Sequence, residues 1–138
     1  MTKENKVEVQ KKYLELQILI NQINQVQQQI LAIQNQMLEL RNLKENIGKI
    51  KDIKINSESY VPLSSNILIK AKIIDNNEFL VAVGNNVLVP KTVEDTIELV
   101  EKQIKEIGDI ILELEAQLNE LDNKGKEVQD EIMDLSKQ

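Results

Sequence analysis

The 138-residue sequence contains no cysteine, no histidine and no tryptophan, and its aromatic content is 2%. Without cysteine there is no disulfide and no thiolate nucleophile; without histidine there is no imidazole base. The two absences together remove nearly all zinc and haem ligation. So few rings also exclude a wide globular core built on aromatics. The four glycines, at 48, 84, 108 and 125, cannot form a dinucleotide-binding turn or a nucleotide-binding loop. Carboxylates are plentiful, but they are spread over a helical face with no cleft to perturb them. No catalytic residue, no metal site and no cofactor is expected. The opening residues Met1-Thr2-Lys3-Glu4-Asn5-Lys6 lack the apolar core of a signal peptide. Residues 16–38 carry no charge, yet 11 of these 23 are Gln or Asn, too polar to cross a bilayer. A soluble chain without membrane contact is expected, and freedom from disulfides suits a reducing cytoplasm.

What the chain does have is aliphatic: hydrophobic residues make up 41%, mostly Ile, Leu and Val. The length fits one domain, 1–138. Net charge is −6 and uneven, being +2 over residues 1–50, +1 over 51–91 and −9 over 92–138. An acidic field of that kind disfavours phosphate backbones, so no nucleic-acid partner is expected. It reads as the solvated face of a helix, or else as a docking surface for a basic partner.

The last third carries the clearest pattern. Val93, Ile97, Val100, Ile104, Ile107, Ile111, Leu114, Leu118, Leu121, Gly125, Val128, Ile132 and Leu135 alternate steps of four and three. All but Gly125 are apolar. A sustained period of 3.5 predicts a coiled-coil helix over 92–136, started by Thr92 as N-cap with Glu94 and Asp95 in the first turn. Gly125 leaves a hole in that seam and weakens the helix locally. A second seam runs through Val9, Leu16, Ile23, Ile30, Met37 and, interleaved, Leu19, Val26, Ile33, Leu40, Ile47, with Lys12 and Lys44 at two further seam positions. It predicts a helix over about 5–50, closing near Gly48. Each helix spans about 45 residues, or roughly 65–70 Å. Two matched seams around a short insert satisfy each other by folding back, so the expected fold is mainly α: a long antiparallel coiled-coil hairpin. Burial of each seam Leu or Ile contributes roughly 1.5–3 kcal/mol, enough in sum to offset the ordering entropy of two helices.

Between the seams, over 57–91, the period drops to two. Tyr60-Val61-Pro62-Leu63, Asn66 to Ile74, Phe79 to Val83 and Val87 to Val89 read as four short strands, hence two β-hairpins at the bend. Asp75-Asn76-Asn77-Glu78 separates them, and Gly84-Asn85-Asn86 turns the second. Two isolated hairpins are marginal in water and leave open edges, so they require partners from outside the chain. Ile67, Ile69, Ala71, Ile73, Phe79, Val81, Val83, Val87 and Val89 are the expected assembly residues.

One feature exceeds what the seam needs. Val7, Leu14 and Ile18 fall on the outer face of the first helix, flanked by Tyr13, and Met133 lies off the second seam beside Ile132. Val7, Tyr13, Leu14, Ile18, Ile132 and Met133 therefore form a candidate binding surface for unfolded or partner protein where the two termini meet, or else a packing contact with a neighbouring subunit.

Helix, two hairpins, helix in this length resembles the α-class subunit of prefoldin. The specific part is the middle: Val61-Pro62-Leu63, Ile69-Lys70-Ala71-Lys72-Ile73, Phe79-Leu80-Val81-Ala82-Val83-Gly84, and Val89-Pro90-Lys91-Thr92-Val93-Glu94-Asp95-Thr96-Ile97. The chain departs from the family with Ser64-Ser65-Asn66 and Asn85-Asn86 where glycine-rich turns are common. Asparagine tolerates the left-handed backbone such turns use. The resemblance implies a hexamer of two α-class and four β-class subunits, joined through a β-barrel made by the hairpins. It further implies an ATP-independent holdase that grips unfolded clients at the coiled-coil tips and delivers them to a group II chaperonin. Two other readings use the same helices. A self-assembling or tethering structural coiled coil would need no barrel-forming hairpins. The hinge of a DNA-organising ATPase would need far longer arms and nucleotide motifs.

Overall fold

The computed structural model describes residues 2–137. Two long helices enclose two small antiparallel hairpins. The order is α1 (Lys3–Ile50), β1 (Glu58–Ser64), β2 (Ile67–Lys72), β3 (Glu78–Ala82), β4 (Leu88–Thr92) and α2 (Val93–Ser136). Both helices follow their seams. Every seam position named above is buried or half-buried, while most residues between them are exposed. No described helix is long and apolar enough to cross a membrane.

The chain divides into two compact units, Met1–Gln36 with Ile107–Gln138, and Met37–Glu106. In the first, Leu19, Val128 and Ile132 are buried together, with Val9, Leu16 and Leu121 packed against them. Lys12, at a seam position, keeps its ammonium at the edge, 2.5 Å from Glu131. Gly125 is buried in this unit, and a methyl group added to it would meet nothing within 4 Å. The hole expected from the sequence is there.

In the second unit Ile47, Val93 and Val100 form the buried core, and Leu40, Phe79, Ile97 and Ile104 surround it. Lys44 pairs with Glu101 at 3.0 Å, and Lys51 with Glu94. Lys44 to Lys51, one residue past the end of α1, is one heptad forward, and Glu101 to Glu94 is one heptad back, as antiparallel segments require. α1 runs through Gly48, which is helical and half-buried, and ends at Ile50. The chain then turns through hydrogen bonds from Asp52 N to Lys49 O and from Ile53 N to Ile50 O, with Asn56 at φ 68°.

The hairpins are separate two-stranded sheets, β1–β2 and β3–β4. Pro62 sits opposite Leu68, and the register shifts immediately after it, where the missing N–H costs the ladder least. The second turn follows the asparagine expectation: Gly84, Asn85 and Asn86 all have positive φ, and Val83 and Val87 close the loop by a 3.0 Å hydrogen bond. Asn66 stays outside that region, so the first turn, at Ser65 and Asn66, is made without left-handed backbone.

Thr92 does two jobs. It is the last residue of β4, opposite Glu78, and it is the N-cap of α2, its Oγ1 accepting from Asp95 N at 3.1 Å. Val93 N donates to Asn77 O at 3.1 Å, and the Val93 side chain is 0% exposed. The second hairpin therefore passes into α2 with no intervening loop.

Candidate functional site

Two sets of apolar side chains are left in solvent, one in each unit. In the first unit α1 turns its seam inward, which leaves the outer face to Val7, Leu14 and Ile18. All three are exposed, Leu14 at 67% and Ile18 at 59%. Tyr13 and, on α2, Met133 are exposed as well. A shallow hollow lined by Lys3, Glu4, Val7, Glu8 and Lys11 surrounds the first stripe residue. Lys11 falls between Val7 and Leu14 at helical spacing, so its aliphatic stem continues the apolar line while its ammonium stays in water.

Ile132 departs from the expected tip surface. It is 7% exposed and packed with Leu19 and Val128. The reason is its phase: Ile132 continues the 3.5-residue seam, so its side chain is committed to the facing helix, and the next residue, Met133, is the one turned outward. Of the tip candidates, Val7, Tyr13, Leu14, Ile18 and Met133 are exposed.

In the second unit the assembly candidates split into two groups. Ile67, Ile69, Val83 and Val87 are exposed; Ala71, Ile73, Phe79, Val81 and Val89 are half-buried. The half-buried positions of β3–β4 alternate, and Phe79 reaches the core of that unit. All of β1 and all of β2 except Ala71 are exposed. Further apolar residues are exposed on these strands that alternation did not single out, among them Tyr60, Leu63, Leu68, Leu80 and Leu88. The signal for them is the run Ile67-Leu68-Ile69: a strand apolar at successive positions is one built to be covered on both faces. Beyond the strands, Leu31 and Leu112 in the first unit are exposed off-seam residues that the sequence reading passed over.

Ion pairs shift two titratable groups. The Lys51 ammonium, followed by the backbone N–H of Glu94 itself, holds the Glu94 carboxyl below its ordinary 4.5. A hydrogen bond to Glu131 raises Lys12 above 10.5. Among the described residues no group of three or more carboxylates is arranged to hold a metal ion.

Comparison with known proteins gives consistent matches. A family model described as "Prefoldin subunit" matches residues 19–138. The chain is 32% identical over 134 residues to prefoldin subunit alpha of Pyrococcus horikoshii, which spans 91% of this chain and 90% of that protein. It is 24% identical over 125 residues to prefoldin subunit alpha of Archaeoglobus fulgidus, spanning 91% of each. Among solved structures, filamentous PFD from Methanocaldococcus jannaschii shares the fold with a TM-score of 0.77 at 22% identity, over 84% of this chain and 96% of that one.

Proposed function

The chain belongs to the prefoldin family of chaperone subunits, with archaeal α subunits among its relatives, and from that premise we propose that it is an ATP-independent holdase. Residues 1–138 act as one domain with a division of labour. Residues 57–91 join β-class subunits, two α with four β, through shared strands. The helices, 5–50 and 92–136, carry a client surface made by Val7, Tyr13, Leu14, Ile18 and Met133. Non-native proteins captured there in the cytoplasm pass to a group II chaperonin. The observation that carries this reading is the exposed off-seam stripe of the first unit, which the coiled coil does not need and which water disfavours. Support for assembly comes from the hairpins, whose apolar residues and ladder edges are open.

The test measures native mass for the chain alone and mixed with a β-class subunit, then aggregation of a thermally unfolded client without nucleotide. Co-assembly with suppressed aggregation is expected. A chain that neither assembles nor suppresses aggregation would remove the reading. A second reading, self-assembly into a structural fibre without chaperone activity, draws on the same open edges, which a second copy would also cover. It predicts high mass without a partner and no suppression.

A further inference from the structure

The two hairpins are not held in the same way. β3–β4 is fused to α2 through Thr92 and anchored by Phe79. β1–β2 lacks both devices: it is joined by the coil 51–57 on one side and 73–77 on the other, and its strands are exposed. Its two ends are closed on each other, Asn56 N donating to Ile73 O at 2.6 Å and Ile73 N to Ser57 O at 3.2 Å, and its ties to the helix ends run through three residues between the hairpins. Asn76 Nδ2 donates to Lys51 O at 3.2 Å and to Ile53 O at 3.0 Å, across a sequence gap of more than twenty residues. Asn77 O accepts from Val93 N at 3.1 Å, and Asn77 N donates to Asp75 Oδ1 at 2.8 Å. Lys51 is gripped again at its other end by Glu94. The exit of α1, the start of α2 and the link between the hairpins thus meet at Asn76 and Asn77.

We propose that Asn76 is a positioning residue for assembly: its amide fixes where β1–β2 leaves the helices and so presents that hairpin to its partner strands. Only a side chain with two N–H donors on one atom satisfies both carbonyls, which lie just past the helix end and have no helical partner. Turned over, the amide would set its oxygen against both, so the network dictates its orientation. A preset hairpin loses less freedom when a partner strand pairs with it than one that swings. Val93 N does not depend on this amide, so β3–β4 stays in place without it.

The proposal rests on the assembly reading above, and its test separates the two. Asn76→Asp keeps the shape and loses the donors; Asn76→Ala loses the amide without adding charge. In the lone chain, both variants keep the helical content, and amide exchange across 51–72 quickens about tenfold while 78–92 is unchanged. Mixed with a β-class subunit, both need about tenfold more partner for half-assembly. Unchanged exchange over 51–72, equal loosening of both hairpins, or unaltered assembly would each overturn the role. A wild-type chain that does not co-assemble would strike the assembly reading itself, while exchange in the lone chain still decides whether Asn76 holds the hairpin.

Discussion

Lys12 Nζ lies 2.5 Å from Glu131 Oε2, joining a seam position of α1 to the flank of α2. Periodicity puts the lysine where a leucine would serve, and its length resolves the conflict: the stem lies over the seam and the ammonium reaches its edge. Glu15, 3.6 Å away, adds a second carboxylate. Because the hydrogen bond to Glu131 raises the folded pKa above 10.5, the contribution of Lys12 is complete below that value and disappears as pH rises through the folded one. Thermal melts at rising alkaline pH should show the midpoint falling in that window. Glu131→Gln should flatten this part of the curve and leave the rest unchanged.

At the start of α2 the sign is reversed. The hydrogen bond from Lys51 lowers the Glu94 carboxyl from 4.5, assisted by its own backbone N–H at a helix N-terminus. The contribution is therefore complete above 4.5 and is lost as pH falls through the depressed folded value. Carboxyl-detected NMR should find Glu94 titrating below 4.5. In Lys51→Met the midpoint should move up towards the ordinary value.

How much of this was readable in advance depends on how local its cause is. The helices, their phase and the N-cap at Thr92 follow from spacing alone, since each seam residue reports the same rotation about the helix axis. The Gly84-Asn85-Asn86 turn follows from the few residues that accept positive φ. Leu68 and Leu80 were missed because alternation sorts residues into two faces and assumes that one of them is wet. Asn76 was missed for a different reason. Its partners, Lys51 and Ile53, are backbone carbonyls distant in sequence, and no side-chain pattern marks a carbonyl. Ile132 was readable from its seam phase, and its inclusion with the tip surface followed proximity to Met133 instead.

Gly125 offers a stability test. It is buried in a helix, and an added methyl has open space around it. Gly125→Ala should therefore stabilise the chain by roughly 1 kcal/mol from helix propensity, with a small addition from filling the hole. Gly84→Ala should act in the opposite direction, because φ is +112° there and a side chain is strained whatever the space. Urea unfolding followed by circular dichroism measures both.

The stripe and the strands should separate under mutation, because they lie in different units and the proposed function gives them different contacts. Leu14→Ser with Ile18→Ser alters side chains that are exposed in the folded chain, so stability should stay within about 0.5 kcal/mol of wild type. Assembly with a β-class subunit should also persist, since the hairpins are untouched. Suppression of client aggregation should fall several-fold, because the apolar surface available to a client has been replaced by hydroxyls. Leu68→Lys should do the reverse, abolishing assembly by setting a charge on a face that must be covered. Ile132→Ala supplies the control: its burial beside Leu19 and Val128 means a loss of about 2–4 kcal/mol in stability. If that variant lost activity only in proportion to its unfolded fraction, while the serine pair lost activity with no unfolding, the client surface would lie on the outer face of α1 and not in the seam.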